Sequence, residues 1–118
     1  MNDDVLIDPL DPIDATEVQY AVWLTDLDPK QARELCLRSR YESAVSELKE
    51  TAIPPRRTRQ FNDRMSRLQT FVFRYEIAME EKRLRAAGER GPNGKAKRRI
   101  ADRHGITESK LKKMLQRF

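Results

Sequence analysis

The final nineteen residues, IADRHGITESKLKKMLQRF, constrain the fold more than any other stretch. Gly105 stands four positions after Ala101, where a helix ending in a left-handed turn needs a residue without a Cβ. Ile106 then supplies an apolar plug, and Thr107 a side-chain oxygen suited to capping the next helix. Beyond it Leu111, Leu115 and Phe118, with Met114 beside them, form one apolar stripe at helical spacing. Ser109, Lys112, Lys113 and Gln116 fall on the opposite face and are residue types that reach phosphates and base edges. Two short helices around a Gly turn, the second basic on its outer face, make the supersecondary unit that enters a DNA major groove. A helical hairpin packed on the rest of the chain would carry the same stripe without binding DNA.

Charge favours the DNA reading. Residues 1–54 hold 12 acidic and 5 basic side chains, a net of −7, whereas residues 55–118 hold 7 acidic and 19 basic, a net of +12. A basic C-terminal half suits a polyanion, although sign alone does not separate DNA from RNA. The acidic half would be repelled by the same ligand and suits a protein partner.

Several function classes are expected to be absent. Cys36 and His104 are the single residues of their kinds, so one chain can assemble neither a metal-ligand cluster nor a thiol–imidazole pair. No Gly-rich phosphate loop is present, and the many carboxylates read as solvated helix surface. The expectation is therefore a binding protein with no catalytic residues, no metal and no cofactor. A lone Cys suits a reducing cytoplasm. No apolar run reaches membrane-span length, and the acidic start MNDDVLIDPL does not resemble a signal peptide. With 38% hydrophobic and 36% charged residues, the chain is lean for a large core and typical of helical proteins that oligomerise.

Upstream, local signals predict three more helices. Asp14 with Glu17 reads as a capping box for a helix over about residues 15–26, with Val18, Ala21, Val22, Trp23 and Leu24 as its apolar face. Asp28, Pro29 and Gln31 open a second, over 29–51, expected to bury Ala32, Leu35, Tyr41, Ala44, Val45 and Leu48 until Pro54 and Pro55 stop it. After Arg56, Arg57 and Arg59 the longest helix, 58–87, places Phe61, Met65, Leu68, Val72, Tyr75 and Met79 in a heptad seam, broadened by Phe71 and Ala78. That seam serves either as a core stripe against the first two helices or as a homodimer interface. A motif that reads duplex DNA usually works in pairs, which favours the dimer. Gly88 ends the helix, and ERGPNGK reads as a hinge before the basic run Lys95, Lys97, Arg98, Arg99. Arg98 and Arg99 are expected on phosphates.

The segment GITESKLKKMLQRF resembles the C-terminal helix-turn-helix of Fis-type nucleoid proteins and of the DNA-binding tails of enhancer-dependent bacterial activators. The shared residues are Ala101, Gly105, Ile106, Leu111, Lys113, Leu115 and Phe118, and the resemblance covers about residues 94–118. It implies that the chain stops just after the recognition helix, that a long upstream helix forms a tight homodimer, and that Thr107, Lys112 and Lys113 contact DNA. Three features depart from the pattern, one of them the opening of the first helix, where Gly94 and Asn93 stand in reversed order. Glu108 stands where the family carries an arginine that can contact guanine, and His104 where an apolar residue is usual.

The resulting expectation is an all-α protein: residues 1–13 a disordered acidic arm, 14–88 a helical oligomerisation or partner-binding body, and 89–118 the helix-turn-helix unit. Helix 107–118 would lie in the major groove of double-stranded DNA, with Thr107, Ser109, Lys112, Lys113 and Gln116 facing it. The chain would act as a cytoplasmic, nucleoid-associated homodimer, a bacterial, phage or plasmid transcriptional regulator. A DNA-packaging or recombination accessory, and a phage-encoded inhibitor of a host nucleic-acid machine, are the alternatives.

Overall fold

The computed structural model describes residues 7–50 and 58–117, which are all-α: five helices and no strand among the described residues. They are α1 Ala15–Thr25, α2 Pro29–Glu50, α3 Arg59–Ala86, α4 Pro92–His104 and α5 Glu108–Arg117. None is long and apolar enough to cross a membrane. The chain divides into two compact units, Met1–Pro55 and Arg56–Phe118. The break thus falls ahead of α3, not at residue 88: the long helix belongs with the helix-turn-helix and not with the acidic helices.

In the first unit α1 packs against α2. Asp14 Oδ1 accepts the Glu17 N–H at 2.8 Å and caps α1. The reciprocal half of the expected capping box is absent because the Glu17 carboxylate is taken by Arg40, at 2.6 and 2.9 Å. The second box closes fully: Gln31 N–H donates to Asp28 Oδ1 at 2.8 Å, and Asp28 N–H to Gln31 Oε1 at 3.4 Å. Between the helices Asp26 takes a left-handed φ of 58°, which an Asp tolerates better than most side chains. The buried line of α2 is Ala32, Cys36, Arg40 and Ala44, four residues apart, three of them small. Tyr41, Val45 and Leu48 are only half-buried and Leu35 is exposed.

The acidic arm differs from expectation over its described part. Residues 7–13 form a turn in which Asp8 Oδ1 accepts the Leu10 N–H at 2.9 Å. Pro9 is buried, and Arg40 Nε donates to the Asp11 carbonyl at 3.2 Å. Residues 1–6, the Pro54–Pro55 stop with Arg56 and Arg57, and Phe118 at the end of the apolar stripe lie outside the described residues.

The second unit is a three-helix assembly built on α3. Thr58 Oγ1 accepts the Phe61 N–H at 3.0 Å at its start. At its end Gly88 N–H bonds the Arg85 carbonyl and Glu89 N–H the Leu84 carbonyl, each at 3.0 Å, the paired closure of a Schellman motif. The core joins Phe73, Ile77 and Leu84 of α3 to Ala96, Ile100 and Ala101 of α4 and Leu111 of α5, with Ile106, Met114 and Leu115 at its margin. The expected hinge is therefore a closed turn. Gly91 at φ 60° leads into Pro92 at the first position of α4, and Lys95 pairs with Glu89 at 2.7 Å across the bend.

Candidate nucleic-acid interface

The turn between α4 and α5 forms as the residues dictate. Gly105 adopts φ 67°, its N–H bonding the Asp102 carbonyl, while the Ile106 N–H returns to Ala101 at 3.0 Å. This second Schellman closure swings Ile106 onto the core and aims α5. Thr107 Oγ1 then caps α5 by accepting the Lys110 N–H at 3.1 Å. Leu111 is fully buried, with Met114 and Leu115 half-buried beside it. The opposite face of α5 carries Ser109, Lys112, Lys113 and Gln116, all exposed, with Thr107 exposed at its head.

α5 is held to α3 by its own backbone. Arg74 Nη2 donates to the Leu115 carbonyl at 2.7 Å, and Thr70 Oγ1 approaches the Met114 carbonyl at 3.5 Å. Carbonyls in the last turn of a helix lack intrahelical partners, so an arginine from α3 can take one of them, while the buried Thr70 hydroxyl donates to the Ser66 carbonyl of its own helix at 2.8 Å.

The carboxylates of this unit are largely spent on its own cations. Glu80, a buried residue of α3, is bridged by Arg83 at 2.6 Å and by Arg99 of α4 at 2.9 Å. Hydrogen bonds from Arg83 first and Arg99 second hold its carboxyl down at about 2. Glu76, one turn earlier, lies 2.7 Å from His104 Nε2 and 3.6 Å from Arg103. His104 also sets its ring edge-on to Phe73, with centroids 4.7 Å apart. His104 thus joins α4 to α3. Asp63 pairs with Arg67, Glu81 with Arg85, and Glu89 with Lys95, which lowers the Glu89 carboxyl.

Glu108, where an arginine stands in Fis-type motifs, pairs with Arg98 at 3.0 Å. Arg98 and Arg99, expected on phosphates, are therefore both engaged within the unit. The two differ in cost of release. An exposed pair such as Arg98–Glu108 contributes about 0–1 kcal/mol, so a phosphate can compete for Arg98. Removing Arg99 would take one of two partners from a buried carboxylate. The basic run alone could not separate these roles, because Glu80 lies 19 residues away from Arg99.

Lys110, Lys112, Lys113 and Arg117 of α5 and Arg59 of α3 carry no side-chain partner among the described residues. Of these, Lys110, Arg117 and Arg59 are not among the DNA-facing residues expected from the sequence. Lys110 and Arg117, seven apart along one edge of α5, carried a usable signal; Arg59 carried none.

The heptad seam is differently disposed. Leu68 and Val72 are buried within the single chain, Phe61, Met65 and Tyr75 are half-buried, and Met79 is 41% exposed. The face that receives α4 and α5 is another one, Phe73–Ile77–Leu84, about a third of a turn around α3. In the first unit Cys36 is buried beside Glu17, and burial first, then that carboxylate, raises its thiol. The outer face of α1 bears Tyr20, Trp23 and Leu24, 60, 75 and 58% exposed, with the two rings 6.0 Å apart.

Compared with protein-family models, with curated proteins and with solved structures, the chain matches none.

Proposed function

We propose that this chain is a double-stranded DNA-binding protein, a transcriptional regulator that lays α5 in the major groove. One observation carries the reading: the outward face of α5 keeps its lysines unpaired while nearly every carboxylate of the same unit is occupied by another cation. Lys112 and Lys113 supply charge to phosphates or base edges, and Ser109, Gln116 and the Thr107 hydroxyl supply polar contacts. Arg98 joins them when phosphate displaces Glu108, whereas Arg99 acts on the fold. Pairing of two chains, through a surface other than the buried Leu68–Val72 centre of the seam, belongs to this proposal because the described residues hold one helix-turn-helix and such units usually read two half-sites. A nucleoid-associated location follows from the same reading.

Titration of a labelled duplex by the full chain at several salt concentrations tests it. Lys112→Ala with Lys113→Ala should weaken binding and reduce the log–log salt slope by about 0.9 for each phosphate no longer neutralised, with helicity retained. A double variant that binds like the parent rejects α5 as the recognition helix. Selection from random duplexes then separates a site-specific regulator from a packaging or inhibitory protein.

A second reading concerns the acidic unit alone. Tyr20, Trp23 and Leu24 leave α1 apolar on its outer side as well as its inner, which is unusual for a helix with no cover. This supports a role for residues 1–54 in binding a protein partner while the second unit holds DNA.

A further inference from the structure

A groove of about 890 Å³ opens between the first turns of α3 and the C-terminal end of α5, lined by the polar and charged residues Arg59, Gln60, Asn62, Asp63, Ser66 and Arg117. Among the described residues the one carboxylate in this lining, Asp63, is occupied by Arg67 at 2.9 Å. The two arginines, one from each helix, have no partner among the described residues. The two walls are joined by the Arg74 bond to the Leu115 carbonyl of α5 and by the apolar core that α3 and α5 share.

The groove's place on α5 matters. Glu108 and Arg117 are nine residues apart, and at about 100° per residue they project from opposite edges of the helix. The Glu108 edge faces α4 through Arg98. The Arg117 edge faces the groove. Ser109, Lys112, Lys113 and Gln116 lie between. A helix with its side chains is about 10–12 Å across and fills a major groove about 12 Å wide, so its two edges meet the two phosphate strands.

We propose that the groove between α3 and α5 binds a phosphodiester of the duplex through Arg59 and Arg117, so that the recognition helix is held between two basic shoulders, one on α4 and one on α3. This rests on the proposed placement of α5 in the major groove. It makes α3 part of the DNA-binding surface as well as the platform behind it.

The test is fluorescence anisotropy of a labelled duplex of about 25 base pairs with the full chain. Arg59→Ala with Arg117→Ala should lower the log–log salt slope by about 1.8, so that raising salt from 50 to 200 mM costs the variant roughly tenfold less affinity than the parent. Arg59→Lys with Arg117→Lys should restore the slope, because a point charge suffices for a phosphate. Circular dichroism checks that helicity is kept; if the double alanine variant loses it, Arg59→Gln alone should show half the slope change. A parent-like slope in the groove variants, with a reduced slope for Lys112→Ala/Lys113→Ala, overturns the groove and leaves the recognition helix standing. Parent-like slopes in both sets, or no duplex binding by the parent, overturn both.

Discussion

Glu80 shows how one side chain can organise a helix pair. It sits buried on α3, accepts from Arg83 on its own helix and from Arg99 on α4, and so couples the long helix to the motif. Its carboxyl titrates at about 2 instead of the ordinary 4.5. A depressed folded-state value means that the unfolded chain takes up the proton first as pH falls. The stabilisation is complete above about 4.5 and is lost progressively down to about 2. Glu80→Gln should therefore be destabilised at neutral pH, and its unfolding midpoint in urea should change less than the parent's across that acid window. Equal pH dependence in both would remove Glu80 as the acid-sensitive link. In the other unit Arg40, buried and bidentate with Glu17, plays the corresponding part by joining α2 to α1 and to the turn at Asp11.

At the scale of elements, α3 is the helix whose role the packing most alters. It has two apolar faces, the heptad seam and the Phe73–Ile77–Leu84 face that carries the motif. The seam's centre, Leu68 and Val72, is already out of water in one chain, which weakens the case for a second copy covering it. Leu68→Ala should cost about 3 kcal/mol in urea unfolding, as for other fully buried leucines. The loss should be the same at low and high protein concentration. A midpoint that rises with concentration would return the seam to an interface between chains. α5 depends instead on α3 for its aim, through the Leu115 carbonyl near its end and Leu111 at its centre.

For the whole molecule the division of charge coincides with the division of structure. The acidic residues 1–54 fall in the unit that ends at Pro55, and the +12 residues in the unit that begins at Arg56. The second unit contains its own apolar core and its own ion-pair network. A fragment from residue 56 onward should bind non-specific duplex more tightly than the full chain at low salt, and the gap should close as salt screens the acidic half. Equal affinities at low salt would show that the acidic half does not shield the DNA surface, leaving partner binding through the Trp23 face as its role.

Helix positions and their ends were legible because they depend on neighbours within one turn. The Thr107 and Asp28 caps, the Gly105 turn, the Pro29 start and the Leu111 stripe each follow from residues three to five positions apart. The all-α class and the exposed lysine face of α5 follow with them. Tertiary structure decided what lies beyond local reach: the face of α3 that carries the motif, the fate of the basic run, and the boundary between units. Glu80 meets Arg99 across 19 residues, Glu17 meets Arg40 across 23, and Glu76 meets His104 across 28. Helical periodicity cannot say which of two apolar stripes a neighbour will cover, nor which carboxylate will claim a given arginine. Those choices are made by the desolvation of whole faces when helices pack, and the cations left without partners are the ones available to a ligand.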